Sequence, residues 1–299
     1  MVDAVRVDGL RRSYGSFEAV RGISFSVAAG EVVAILGPNG AGKTTTIEIL
    51  EGFRGRDGGA VEVLGEDPAS PSGSWRERIG IVLQESAFDG YLTVAEAITM
   101  HAEYYRSPRP VDDVVALVGL TDKAGARIRT LSGGQQRRLD VALGLIGDPE
   151  LIFLDEPTTG FDPGARRQAW EVIANLRTLG RTIVLTTHYM DEAQHLADRV
   201  IVIAGGRILA EGPPESIGGR DRTAARITFS LPPGVESAPL SGAVPSGDGR
   251  IVMETDRPTE RLHELTAWAV AHGIELEGLT VSRPSLEDVY LELTRETTA

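Results

Sequence analysis

Residues 37–44, Gly-Pro-Asn-Gly-Ala-Gly-Lys-Thr, constrain this chain more than any other stretch. They satisfy the spacing G-x-x-x-x-G-K-[ST], follow an apolar run at 31–36 (EVVAIL) and open a helix-compatible segment. Glycines at this spacing let successive backbone N–H groups turn toward one anion without side-chain interference. A helix beginning at the end of the loop adds its partial positive charge. Gly37, Pro38, Asn39, Gly40, Ala41, Gly42, Lys43, Thr44 and Thr45 are therefore expected to cradle a phosphate chain. Lys43 would reach the outer phosphates and Thr44 would offer its hydroxyl to Mg²⁺. Of 30 basic residues only Lys43 and Lys123 are lysine, so Lys43 stands out against an arginine background.

The surrounding pattern is α/β. Apolar runs at 31–36, 79–83, 151–154, 182–186 and 199–203 show little alternation, which suits strands buried on both faces of a largely parallel sheet. Helical patterns at 42–51, 94–105, 133–145, 164–179 and 190–197 are interleaved with them. Residues 2–27 together with 60–64 read as additional antiparallel strands. A Pro-, Gly- and charge-rich stretch at 211–223 reads as a linker. Beyond it, strands are expected at 225–231, 250–254 and 274–281, with a helix at 258–272. A final helix carries the stripe Leu286, Val289, Tyr290 and Leu293, with Ser285 and Asp288 spaced as a capping box.

The run Leu151-Ile-Phe-Leu-Asp155-Glu156 places two carboxylates at the C-terminal end of a buried strand, where open α/β sheets bind their ligands. Asp155 is positioned to hold Mg²⁺. Glu156 is positioned to orient a water or accept its proton. Residues 131–138, Leu-Ser-Gly-Gly-Gln-Gln-Arg-Arg, put a serine and two glycines at a helix start, a second place where an anion is favoured.

This last motif resembles the signature of ABC ATPases, and the resemblance extends along the whole chain. It implies a P-loop NTPase fold of the ABC ATPase type. That fold has a mixed central sheet, an antiparallel N-terminal β-subdomain and a helical subdomain (about 85–148) bearing the signature. The nucleotide-binding domain would cover 1–221 and a small α+β accessory domain 222–299. The resemblance implies ATP and Mg²⁺ as ligands, with Ser132, Gly133, Gly134 and Gln135 facing the nucleotide of a second, identical subunit. It also implies that Tyr14 stacks on adenine, that Gln84 touches Mg²⁺ and water, and that Asp162 crosses the dimer interface. His188 is implied as the switch histidine. Residues 187–193 (Thr-His-Tyr-Met-Asp-Glu-Ala) and 285–294 resemble ATPase subunits of bacterial ABC-2 type exporters, especially the daunorubicin-resistance group. That implies export of drug-like or lipid-like substrates through a separate membrane permease, with this subunit peripheral on the cytoplasmic face. Import, and a soluble role in DNA repair or translation, stay open as alternatives.

Bulk properties narrow the partners. The net charge is −13, so the surface repels a phosphate backbone and nucleic acid is not expected as a partner. There is no cysteine, hence no disulfide framework. No apolar run reaches the length of a membrane span or of a signal peptide, so the pore is expected on another chain.

Overall fold

The computed structural model describes residues 2–82, 89–219, 224–232, 235, 242–246 and 250–291. Gln84 lies outside them, as do Thr223 and Leu293. Two compact units divide the chain between residues 214 and 215.

The first unit is built on two sheets. β1 (Asp3–Tyr14), β2 (Phe17–Ala28) and β4 (Gly58–Val63) form an antiparallel sheet in the order β2-β1-β4. β3 (Val32–Leu36) belongs to the second sheet, with β5 (Ile79–Val82), β6 (Leu151–Asp155), β7 (Thr182–Thr187), β8 (Arg199–Ala204) and β9 (Arg207–Gly212). Its order is β5-β6-β7-β3-β8-β9, parallel throughout except for β9. Every residue of β3, β6 and β7 is buried, as their unbroken apolar runs require. Helices α1 (Lys43–Leu50), α2 (Gly73–Glu77), α3 (Val94–Ala102), α4 (Val111–Leu117), α5 (Gly133–Leu145), α6 (Pro163–Thr178) and α7 (Met190–Leu196) complete the unit. The fold is α/β with a mixed central sheet and an antiparallel N-terminal sheet, the expected class.

Register positions the site. Leu36 lies beside Thr187, and Asp155 beside Thr186. The C-terminal ends of β3, β6 and β7 are therefore neighbours, and the loops leaving them converge on one edge.

Some elements differ from expectation. β9 takes in residues 211 and 212, which the Pro- and Gly-rich composition had assigned to a linker. A two-residue Gly205-Gly206 turn with φ of 54° and 75° closes the β8–β9 hairpin, a conformation glycine supplies without strain. The helix expected at 94–105 stops at Ala102. α2 and α4, of 5 and 7 residues, are too short to show a helical period.

In the second unit, β10 (Ala225–Ser230), β11 (Ala243–Pro245), β12 (Ile251–Thr255) and β13 (Glu277–Ser282) form an antiparallel sheet in the order β11-β12-β10-β13. Helix α8 (Pro258–Ala271) contributes Leu265 to a core with Ile227, Phe229 and Met253. Residues 286–291 are helical, and Ser285 and Asp288 cap them reciprocally, Asp288 N donating to Ser285 Oγ at 3.1 Å and Ser285 N to Asp288 Oδ2 at 2.7 Å.

Candidate active site

The loop between β3 and α1 lines a cleft of about 570 Å³. Two of its glycines are fixed by close approach. A Cβ on Gly37 would lie 2.2 Å from the Ile203 carbonyl oxygen, and one on Gly42 would lie 2.5 Å from that of Ala19. Gly42 also has φ 103° and caps α1 without any side-chain hydrogen bond. The first N–H groups of α1 have no intrahelical acceptor, and no cap side chain covers them. They are left to face a ligand in the cleft, with the helix dipole behind them. Lys43 is only 4% exposed. Its Nζ donates to the carbonyl oxygens of Gly37 at 2.8 Å and Pro38 at 3.3 Å. The same ammonium lies 3.4 Å from Glu156 Oε1. The glycine-walled cradle and its buried lysine fit a phosphate chain in shape and charge.

Asp155 and Glu156 leave β6 in different environments. Asp155 is buried and accepts a short hydrogen bond from the Thr186 hydroxyl. Burial pushes its carboxyl up, the Thr186 bond opposes this, and the adjacent Glu156 charge adds to the rise. Glu156 sits at φ 45°, a left-handed conformation that strains a residue with a side chain by on the order of 1 kcal/mol or more. Its own contacts hold it there: its N–H donates to Thr186 Oγ1 at 3.0 Å, and its Oε2 accepts from Thr159 Oγ1 at 3.0 Å. His188 Nδ1 lies 3.4 Å from Glu156 Oε1. Burial raises the Glu156 carboxyl, but the Thr159 bond and the charges of Lys43 and His188 outweigh it and hold the group below its usual range. Environment thus separates two neighbouring carboxyls, which suits Glu156 to accept a proton or order a water in its ionised form. Asp155 and Thr44 offer the hard oxygen donors that Mg²⁺ takes, and Mg²⁺ needs few protein ligands. Among the described residues there is no cluster of three or more His, Asp or Glu that would make a fuller cage.

Tyr14 lines the same cleft. Arg12 and Arg54 lie over its ring at 5.2 and 5.3 Å, and its hydroxyl is 3.4 Å from Thr45 Oγ1. Phe17, which belongs to none of these motifs, lines the cleft too and pairs with Tyr14 across the β1–β2 hairpin. The signal was present: Tyr14-Gly-Ser-Phe17 has turn spacing, which places both aromatics on one face.

Ser132, Gly133 and Gly134 do not line this cleft. With Asp162 and the residues 159–161 before it, they line a second one, also about 570 Å³. Ser132 caps α5: Gln135 N donates to Ser132 Oγ at 3.3 Å, and Ser132 N to Gln135 Oε1 at 3.0 Å. Asp162 caps α6, its Oδ1 accepting from Gly164 N at 2.8 Å and Ala165 N at 2.9 Å. Thr159 borders both clefts. Arg137, within the signature helix, donates to the carbonyl oxygens of Pro157 at 3.0 Å and Asp155 at 3.1 Å, which ties α5 to the acidic loop. Nothing in the sequence pattern marked that contact.

Comparison with known proteins agrees with this geometry. Residues 20–159 match the ABC transporter family, and residues 225–285 match the ABC transporter domain-containing protein-like C-terminal domain. The chain is 37% identical to the daunorubicin resistance ATP-binding protein DrrA3 of Streptomyces coeruleorubidus, over 97% of this chain and 96% of that protein. It is 37% identical to the Nod factor export ATP-binding protein I of Ralstonia nicotianae, over 96% and 92%. Among solved structures, cbiO1 from Clostridium perfringens, part of the ABC transporter complex cbiONQ, superposes with a TM-score of 0.66 at 29% identity, covering 72% of this chain and 90% of that one. An ATP-binding cassette of an ABC transporter in its ADP conformation gives 0.64 at 26% identity, covering 72% and 92%. With near-full-length relatives at this identity, the chain belongs to the ATP-binding proteins of the ABC transporter family.

Proposed function

We propose that this chain binds and hydrolyses ATP as one of two identical subunits of an exporter, driving a drug-like or lipid-like substrate through a separate membrane permease. The observation that carries the hydrolytic part is the convergence of Lys43, Glu156 and His188 in one cleft. The export part rests on the names of its near-full-length relatives, which concern drug resistance and Nod factor export. Among the described residues no helix is long and apolar enough to cross a membrane, which fits a peripheral place on the cytoplasmic face beside a membrane-embedded partner.

Each group has a defined task in this reading. The loop N–H groups and Lys43 bind the phosphates and stabilise charge that grows on them as the outer phosphoryl group leaves. Mg²⁺, held by Thr44, Asp155 and Gln84, would supply further positive charge at that place. Glu156, ionised through Thr159, Lys43 and His188, orients the attacking water and takes up its proton. His188 holds Glu156 from the other side and contacts the outer phosphate. Tyr14 stacks on the adenine. Ser132 to Gln135 reach the nucleotide of the opposing subunit and shield it from bulk water, and Asp162 lies at that junction. Loss of the outer phosphate removes the charge that draws the signature helices in, and the pair opens.

Glu156→Gln separates these tasks. Turnover is expected to fall by about 100-fold or more while ATP still binds. Near-normal phosphate release would remove Glu156 from its role. The same variant, tagged and recovered from detergent-solubilised membranes with ATP and Mg²⁺, should bring down a multi-span membrane protein in stoichiometric amount. Recovery with ribosomes or DNA, or as a soluble species alone, would retain the ATPase and overturn transport.

A further inference from the structure

Glu192 is 0% exposed, in the first turn of α7 and four residues beyond His188. A carboxyl removed from water is costly unless donors meet it. Its Oε1 accepts from Thr158 Oγ1 at 2.7 Å and from Trp170 Nε1 at 3.1 Å. The Thr187 side chain lies against the same carboxyl, whose Oε2 is buried without a well-formed hydrogen bond. These partners come from three segments. Thr158 sits in the loop leaving β6, Thr187 ends β7, and Trp170 is on α6.

Each segment also carries a residue of the candidate site. Thr158 lies between Glu156 and Thr159, the residue that hydrogen-bonds the Glu156 carboxylate. Thr187 immediately precedes His188. Helix α6 begins at its cap Asp162. Arg137 also grips the carbonyls of Asp155 and Pro157, so the acidic loop is held by a buried cation as well as a buried carboxyl. A leucine in the place of Glu192 would fill the space with no desolvation cost, but it would leave the Thr158 hydroxyl and the Trp170 N–H without this acceptor.

The geometry points to Glu192 as a positioning residue: it fixes the acidic loop relative to the end of β7, and so sets the 3.4 Å approach of His188 to Glu156. It touches no reacting atom and acts through Thr158 and Thr187. The inference rests on the reading of Glu156 and His188 as hydrolytic groups. Misplacing such groups by about 1 Å lowers the rate by up to about 100-fold without removing what binds substrate.

The test is steady-state ATPase assay of the full-length chain carrying Glu192→Ala, Glu192→Gln or Thr158→Val, alongside Glu156→Gln. Glu192→Ala is expected to lower kcat by about 10- to 100-fold with KM for ATP within about threefold of the parent. Glu192→Gln keeps an acceptor oxygen for Thr158 and Trp170 and should return kcat to within about fivefold. Thr158→Val should lower kcat by about three- to tenfold, and adding it to Glu192→Ala should bring little further loss, since both break one link. Parent-level kcat in Glu192→Ala, equal loss of ATP affinity and turnover, or fully multiplicative effects in the double variant would each overturn the inference. If Glu192→Ala fails to fold, Thr158→Val decides: an unchanged kcat overturns the inference. Normal turnover in Glu156→Gln would instead bring down the underlying hydrolytic reading.

Discussion

Helices α1 and α5 both start with glycine-rich sequence, and both starts are read as anion sites, yet their N-termini are built in opposite ways. α1 begins at Gly42, which has no side chain to cap with, and its first turn opens into a cleft beside a buried lysine. α5 begins at Ser132, whose side chain and that of Gln135 satisfy each other's backbone N–H groups. The first end needs a ligand to complete it. The second is capped within its own chain at the Gln135 N–H, which leaves the Gly133 and Gly134 N–H groups to present to an anion. Electrostatics alone would rank the two alike, since a helix N-terminus carries about half a positive charge whatever its cap. The ranking comes from which N–H groups are already taken.

The comparison can be broken most forcefully at Gly37. Alanine there would put a methyl group 2.2 Å from the Ile203 carbonyl oxygen, so the loop or β8 must shift. Gly37→Ala is expected to destabilise the fold by about 3 kcal/mol and to abolish measurable ATP binding. A Gly37→Ala protein with parental Tm and ATP affinity would show that the cradle is not rigid. At Gly133 or Gly134 no Cβ contact falls below 3.4 Å, so alanine there should leave stability nearly unchanged.

The opposite ends of the helices extend the contrast. α5 runs into Ile146, which is fully buried, whereas α1 ends on Glu51, 4% exposed. Burial, followed by the charges of Asp155 and Glu48, pushes the Glu51 carboxyl up to about 8. In the unfolded chain the same group releases its proton near its ordinary value of 4.5. The folded chain therefore holds one more proton between those values. The stability linked to Glu51 is fully present below about 4.5 and is lost as pH rises toward about 8. Glu51→Gln should remove that slope: little change in Tm near pH 4.5, and a gain on the order of a few kcal/mol near pH 9 in nucleotide-free protein. A variant that tracks the parent at both pH values would show that Glu51 is ionised or solvated in the fold. Lys43→Ala should act on binding more than on stability, weakening ATP by about 10- to 100-fold, the range for hydrogen bonds from a charged donor. Unchanged affinity would count against the loop as the phosphate site.

How much of this was legible follows from how local each feature is. The glycine spacing at 37–44 is a short-range code, and the two-sided burial of β3, β6 and β7 is written in their unbroken apolar runs. The strand-end location of Asp155, Glu156 and His188 was therefore readable. What their side chains touch was not. Thr186 reaches Asp155 and the Glu156 N–H only because β6 pairs with β7 in one register, and Arg137 reaches Pro157 across 20 residues. Such contacts depend on tertiary register, which periodicity does not carry. The β8–β9 hairpin was readable in principle from Gly205-Gly206, but the charge- and proline-rich stretch beyond it masked the signal. Gln84, assigned to Mg²⁺ and water, lies outside the described residues.

The smallest expected effect on ATP affinity is the sharpest test of the contrast between α1 and α5. Ser132→Ala deletes one half of the capping box on α5 and should cost about 1 kcal/mol of stability. Because Ser132 lies outside the cleft that holds Lys43, ATP affinity of the isolated subunit should stay within about twofold of the parent. Turnover should nonetheless fall by about tenfold or more, since in the proposed pair this helix start faces the nucleotide of the other subunit. The combination of small stability loss, retained binding and lost turnover belongs to an N-terminus that serves a second molecule. If affinity and turnover fall together, Ser132 acts on its own subunit's nucleotide and the two clefts are one site. If neither moves while Tm drops, the capping box is the whole of what Ser132 does, and α5 is an ordinary helix whose glycines need another explanation.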